Sequence, residues 1–342
     1  LIQEMGFPGD SILAITFTNK AANEMQERVM QLINREEGVP KVSTFHAFCL
    51  ECLFLYYARV GLEKNFIILD TSDQKRIVKR ISEALCLSDT QYSIPFLMQQ
   101  IETIKNNLIQ IDRAGHGVDT KVADVYTRYE AELKKLNAID FGDMLKKTHE
   151  LFKQNPDILE QIQSQYKYIL VDEYQDTNIV QYQLVYLIAR KYQNITVVGD
   201  FDQTIYSWRG AHSKNLIKFE ADYKDVYTVT LDQNYRSTNT ILKAANAIIQ
   251  NNSNRKEKNL WTDNSEGEKI GVFQARDEVE EARYLVKKCQ KLKEKGTSYN
   301  DIAILYRMNA LSRVIEEKLG KEGIPYRVIG SMKFFERKEI KD

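Results

Sequence analysis

An α/β protein is what this sequence predicts: an open parallel sheet with an all-helical insertion, followed by part of a second α/β domain. Three observations lead there. Short, uninterrupted apolar runs recur, β-branched in part, and each is followed by residues at helical spacing, the pattern of strands buried on both faces with their crossover helices. Between the second and third runs, over residues 70–137, only helical periodicity is found. Beyond a polar stretch at 251–258, the strand–helix alternation starts afresh.

Composition narrows the class further. The 342 residues are 43% hydrophobic, enough for two or three domains with real cores. Lys+Arg and Asp+Glu balance at 48 each, so bulk charge argues neither for nor against nucleic acid. A neutral total can hold a basic groove beside an acidic face. No apolar run approaches the ~20 residues of a membrane span, and no signal peptide is visible, so no membrane partner is expected. Four cysteines in a chain of this length argue against a disulfide framework and for a reducing cytoplasm. His46-x-x-Cys49-x-x-Cys52 has ligand-like spacing, but it lies among Phe48, Leu50, Leu53 and Phe54, so both cysteines are read as core.

In chain order, Ser11–Thr16 predicts a buried strand that ends in Phe17 and Thr18. Asn19 is the expected cap of a helix with Ala22, Met25, Val29 and Leu32 at helical spacing. Val42–His46 predicts a second short strand, leading into a helix through Tyr57. The insertion shows three periodic sets: Ile77, Ile81 and Leu85; Ile101, Ile104 and Leu108; Val125, Tyr129, Leu133 and Leu136. Ser72 and Ser93 are its expected N-caps, and Gly115-His116-Gly117 a loop. Asp140-Phe141-Gly142-Asp143 leads back to the core.

Tyr168–Val171 predicts the next strand, with Asp172 and Glu173 at its C-terminal edge, where open parallel sheets place their ligands. Adjacent acids at such an edge repel unless a cation or a proton lies between them. The residues thus point to a Mg2+ held by Asp172, with Glu173 free to orient and deprotonate a water. A solvated acidic turn after a core strand is the bland alternative, and the pair alone leaves it open. A helix carrying Tyr182, Val185, Ile188 and Ala189 follows, then a strand at Ile195–Val198. The stretch Gly199-Asp-Phe-Asp-Gln203-Thr-Ile-Tyr206-Ser-Trp208-Arg209-Gly-Ala211 comes next. The neutral amide of Gln203 can hydrogen-bond a γ-phosphate and an attacking water. Tyr206, Trp208 and Arg209 offer stacking faces and a phosphate or cation–π partner. Val226–Leu231 predicts another strand, followed by Asn234-Tyr235-Arg236-Ser237 and a helix through Ile249. The second α/β pattern then reads strand 270–275, helix 277–294, strand 302–306, helix 310–320 and strand 326–329, with Arg307 and Asn309 at a strand's C-terminal edge.

Asp172-Glu-Tyr-Gln-Asp176-Thr-Asn resembles motif II of superfamily 1 helicases, in its UvrD/PcrA/Rep branch. Thr16–Ala22 is similar to motif Ia, Thr44-Phe45-His46 to motif Ib, Gly199–Ala211 to motif III and Asn234–Ser237 to motif IV. Leu305-Tyr-Arg307-x-Asn309 resembles a DNA-contacting loop of the family's second domain, and Phe334–Asp342 the segment before that domain's large helical insertion. The family usually has an acid where Gly142 stands. The resemblance covers essentially all 342 residues.

What the resemblance implies is specific. Residues 1–69 and 138–250 would form a RecA-like P-loop NTPase domain, 70–137 a helical accessory subdomain, and 251–342 the N-terminal part of a second RecA-like domain. ATP and Mg2+ are the implied cofactors. Single-stranded DNA and single/double-strand junctions are the implied partners, with repair or replication proteins beside them. Glu173, Gln203 and Arg236 would be catalytic, Tyr235 would stack on adenine, and Arg236 would reach the γ-phosphate. Phe17, Asn19, Thr44, His46, Tyr206, Trp208, Arg209, Arg307 and Asn309 would contact DNA. The implied activity is ATP-dependent movement 3′ to 5′ along one strand, with duplex unwinding, in repair or replication restart. No Gly-x-x-x-x-Gly-Lys-Ser/Thr occurs in the 342 residues, and motifs V and VI are not found either. The chain therefore reads as an internal portion of such a helicase. The alternative reading is a catalytically incompetent, single-strand-binding piece of one.

Overall fold

The computed structural model describes residues 1–33, 38–111, 117–204, 214–252 and 258–329. Two compact units emerge: Leu1–Asp232 with Asn246–Leu260, and Gln233–Ala245 with the residues from Trp261 on.

A short helix α1 (Ile2–Met5) precedes β1 (Ile12–Thr16), which is buried along its whole length. Helix α2 (Asn19–Leu32) follows. Its cap is Thr18, whose hydroxyl accepts the Ala21 N–H at 3.1 Å, so Asn19 is the first helical residue and not the cap expected of it. Thr18 wins because its side chain reaches the free amide of the first turn. Strand β2 (Lys41–Thr44) and helix α3 (Phe45–Tyr56) come next.

The insertion begins after a two-residue strand β3 (Ile67–Ile68) and comprises α4 (Thr71–Ala84), α5 (Ile94–Asn106) and α6 (Thr120–Lys135). It closes on β4 (Ala138–Ile139), which pairs with β3 in parallel and pins the two ends of the insertion together. Ile77, Ile81, Ile101, Ile104, Val125, Tyr129 and Leu133 share one buried core, as their spacing predicts. Leu136 lies exposed at the end of α6, and Leu108, past the end of α5, packs against the sheet-side core instead. Ser93 caps α5 as expected. Asp70, not Ser72, caps α4, because its carboxylate accepts the Asp73 N–H at 2.8 Å. Of the expected loop Gly115-His116-Gly117, the first two residues lie outside the described ones.

Helix α7 (Phe141–Gln154) opens with a capping box in which the Asp140 and Asp143 carboxylates each accept the other's N–H. Then follow α8 (Pro156–Gln165), β5 (Tyr168–Val171), α9 (Ile179–Ala189), β6 (Ile195–Val197) and α10 (Lys214–Asp222). The sheet order is β2-β1-β5-β6, all parallel. Chain direction across the sheet reverses between β1 and β5, and such a reversal opens a crevice at the strands' C-terminal ends. The four strand ends lead into four of the motifs singled out above. Phe17 follows β1, His46 follows β2, Asp172 follows β5 and Gly199 follows β6.

The strand expected over Val226–Leu231 is not formed. Its alternate residues Tyr227, Val229 and Leu231 are exposed, and a strand needs a neighbour for its N–H and C=O groups. Helix α11 (Asn239–Ile249) follows, and in the second unit helices α12 (Glu278–Glu294) and α13 (Ser312–Lys321) match the helices expected there. The three strands expected at 270–275, 302–306 and 326–329 form no ladder among the described residues. Ile302, Ile304 and Tyr306 still turn one face onto the α12–α13 core, while Leu305 on the other face is 89% exposed. One face has found its packing; the ladder has no second strand among the described residues.

Candidate functional site

The β5 end is where chemistry-bearing side chains converge. The Asp172 N–H donates to Ile15 O at 2.9 Å, locking the acid pair beside the end of β1. Asp172 Oδ1 accepts the Glu173 N–H at 2.9 Å. Glu173 itself adopts a left-handed backbone, φ +50°, a conformation rare for a side chain of this size. Its carboxylate is exposed, and the chain then tightens into a single 3-10 turn, Tyr174–Asp176, that is wholly buried. Strain of this kind, on the order of 1–3 kcal/mol, persists only where the surroundings hold it. Asn215 does part of the holding. Its buried Nδ2 donates to Thr177 O at 2.8 Å and to Thr177 Oγ1 at 3.1 Å.

Gln175 ties this turn to the loop after β6. Its Nε2 donates to Glu173 Oε2 at 2.7 Å, and its Oε1 accepts the Asp200 N–H at 3.0 Å. Asp200 Oδ2 in turn accepts from Gln203 Nε2 at 2.8 Å, and Lys258 pairs with the same carboxylate. Against its partial burial, those partners and the Asp202 N–H hold the Asp200 carboxyl below the usual range. An unbroken run of contacts thus joins Glu173, Gln175, Asp200 and Gln203. A Cβ on Gly199 would come within 2.9 Å of Gln175 Oε1, so the bare backbone there is what lets the bridge form.

On its other side the turn meets a groove of about 630 Å³ between the sheet edge and the insertion. Asp176, Phe17, His46, Phe141, Asn106 and Gln181 are among the residues lining it. The Asp176 carboxyl is pushed up to about 6 by burial and then by the charge of Glu173, and its Oδ1 has no hydrogen-bond partner among the described residues. Phe141 is 53% exposed, with its ring 6.0 Å edge-on from that of His46. An aromatic at the first position of a capped helix, outside the buried set Met144, Leu145, Leu151 and Phe152, was the signal that could have found it.

Of the site residues expected from sequence, Asp172, Glu173 and Gln203 come together on the bonded run, and Phe17 and His46 share the groove. Thr44 does not reach it. Its hydroxyl is buried and caps α3 by accepting the Ala47 N–H at 3.3 Å. Asn19 is exposed in the first turn of α2. Tyr206, Trp208 and Arg209 lie outside the described residues. In the second unit Tyr235 is 79% exposed, its hydroxyl donating to Gln233 Oε1 at 2.6 Å, and Asn234 Oδ1 holds the Arg236 and Ser237 N–H groups in a tight turn. Arg307 and Asn309 are exposed after the 302–306 segment, Asn309 opening a 3-10 turn, Asn309–Leu311. Cys49 and Cys52 are buried free thiols, as read. Burial pushes both up, Cys52 to about 12.

A hard cation fits the Asp172–Glu173 edge, whose donors are carboxylate oxygens at a sheet's C-terminal end. Among the described residues no group of three or more His, Cys, Asp or Glu could hold a metal unaided. A magnesium ion there would share one or two carboxylates with substrate phosphates and water, its usual mode.

Comparison with known proteins gives two family matches. The model of the UvrD/REP helicase N-terminal domain matches residues 1–224, and that of the UvrD-like helicase C-terminal domain matches residues 229–342. The chain is similar to the ATP-dependent DNA helicase PcrA of Staphylococcus aureus (strain NCTC 8325 / PS 47), with 45% identity over 346 residues, covering 100% of this chain and 47% of that protein. It is similar to the protein of the same name from Leuconostoc citreum, with 46% identity over 350 residues, covering 100% of this chain and 46% of that one. The chain spans about half the length of the curated relatives it matches. No helix among the described residues is long and apolar enough to cross a membrane.

Proposed function

The chain belongs to the UvrD/REP helicase family, and from that premise we propose that it is the core of an ATP-dependent DNA motor that moves 3′ to 5′ along a single strand and unwinds duplex at junctions. Repair or replication restart in the cytoplasm is the setting we assign to it. One observation carries the proposal. The same short turn that offers Glu173 on one side offers Asp176 to a groove on the other, and Gln175 between them is bonded to the loop of Gln203.

In this reading Asp172 would hold magnesium, which would supply positive charge against the substrate's phosphates. Glu173 takes a proton from the attacking water onto its exposed carboxylate, the step a general base contributes. Gln203 hydrogen-bonds the γ-phosphate, and loss of that phosphate reaches Gln175 through Asp200. Tyr235 stacks on adenine, and Arg236 neutralises charge on the transferred phosphoryl group. Phe17 and Phe141 stack bases in the groove, a contact that tolerates any sequence because every base has a π-face. Asn19, His46, Arg307 and Asn309 are assigned to the strand's backbone and edges, and Tyr206, Trp208 and Arg209 to DNA contact as the resemblance implies.

Glu173→Gln tests the chemical half, in the gene product that carries this chain. Nucleotide affinity should stay within twofold while kcat falls by ~100-fold or more. Unaltered turnover would remove Glu173 from the role of base.

A further inference from the structure

Gly142, in the first turn of α7, touches a side chain that the site described above does not use. A Cβ at Gly142 would lie 2.9 Å from Lys105 Cδ and 3.2 Å from Lys105 Cβ. The stem of Lys105 therefore crosses α7 where that helix has no side chain. Lys105 is 1% exposed, yet its ammonium sits 2.8 Å from Glu130, 2.8 Å from Asp140 and 2.8 Å from Asp143. The Tyr129 hydroxyl donates to Asp140 at 2.9 Å, and Lys146 approaches Glu130 at 3.4 Å.

These groups come from three helices. Lys105 is near the end of α5, Tyr129 and Glu130 are on α6, and Asp140, Asp143 and Lys146 belong to the cap and first turns of α7. The helical insertion is thus tied to the sheet domain by one buried amine. Burying the Asp140 and Asp143 carboxylates without that amine would be strongly unfavourable, so the insertion cannot tilt away while those charges stay dry. Phe141 sits between Asp140 and Gly142, two residues that grip the lysine, and it projects into the groove that Lys105 also lines.

We propose that Lys105 is a positioning residue for the DNA track: by drawing Glu130, Asp140 and Asp143 together through the gap left at Gly142, it fixes the first turn of α7 and so holds Phe141 in the groove. The proposal rests on the reading of that groove as the single-strand site. It also gives Gly142 a purpose, since any side chain at this position would collide with the lysine stem.

The test is a double-mutant cycle on the chain, read by fluorescence anisotropy with a labelled single-stranded oligothymidylate and accompanied by circular-dichroism melts. Lys105→Met should weaken binding by about tenfold, the size of one lost base stack. In a Phe141→Ala background the same substitution should cost no further affinity, because Lys105 acts through Phe141. A general structural role would instead give equal losses in both backgrounds, and that result, or unchanged affinity in folded Lys105→Met, overturns the proposal. If Lys105→Met does not fold, Gly142→Ala replaces it in the same cycle with the same expectations. A wild-type chain that fails to bind the oligonucleotide overturns the groove reading and this proposal with it. Wild-type binding with an indifferent Lys105→Met overturns this proposal alone.

Discussion

Replacing Gln175 by alanine cuts the run of contacts between Glu173 and Gln203 at its middle. Two hydrogen bonds go: the 2.7 Å donation to the Glu173 carboxylate and the 3.0 Å acceptance from the Asp200 N–H. The first is charge-assisted, but Glu173 is exposed and water replaces most of it. The second leaves a partly buried N–H unpaired, which costs ~1–3 kcal/mol. Stability of the first unit should therefore fall by ~1–3 kcal/mol, a few degrees in Tm for a domain of this size. The larger effect belongs to catalysis. Glu173 loses the Gln175 bond that fixes its carboxylate, and a misplaced base costs ~10- to 100-fold in kcat. Gly199→Ala attacks the same bridge from the other end, since its Cβ would meet Gln175 Oε1. Steady-state phosphate release on both single variants and the double variant, in the gene product that carries this chain, measures the coupling. The double variant should be little worse than the worse single one. Fully multiplicative losses, or wild-type kcat in Gln175→Ala, would refute the bridge.

Asn215→Ala should lower stability by ~1–3 kcal/mol, because two buried acceptors of Thr177 lose their shared donor; a calorimetric Tm unchanged within experimental error would contradict that. His149 gives a pH prediction. Burial, and then Lys153, push its imidazole down to about 4. A base with a depressed folded pKa supplies stability that is fully present above its unfolded value near 6.5 and is lost as pH falls toward 4, up to ~3 kcal/mol here. Urea titrations at pH 7 and pH 4.5 should therefore show a smaller acid loss in His149→Leu than in wild type, and parallel curves would dismiss the assignment. The Asp143 and Asp176 carboxyls, both raised to about 6, act in the opposite sense and are common to both proteins.

Much of the first unit was legible because its strands are continuous apolar runs whose ends carry the chemistry. Ile12–Thr16 and Tyr168–Val171 are read from residue type alone, and Phe17 and Asp172 follow them at a sheet edge. The insertion was legible from its 3.6-residue period. Pairing was not, because a strand is a relation between two segments, and Val226–Leu231 shows the right residues with no paired neighbour among the described residues. Thr44 illustrates a local ambiguity: one hydroxyl between strand and helix can face a ligand or cap the helix, and geometry chose the cap. The Gln175–Asp200 bond joins a side chain to a backbone 25 residues away. No periodicity encodes such a contact. Lys105 misleads for a related reason, since a lysine near a helix C-terminus normally reads as solvated and only the fold gathers its three carboxylates.

DNA dependence of ATP turnover is the most direct measurement of the central claim, that one buried turn serves both the hydrolytic acid and the strand-binding groove. Phosphate release would be followed in the gene product carrying this chain, without DNA and across a titration of single-stranded oligothymidylate. The expected result is stimulation of ~10-fold or more by the oligonucleotide. Phe141→Ala should shift the half-maximal DNA concentration upward by about tenfold and leave the DNA-free rate unchanged. Turnover indifferent to DNA, or a Phe141→Ala protein with reduced DNA-free turnover and an unshifted midpoint, would contradict the account.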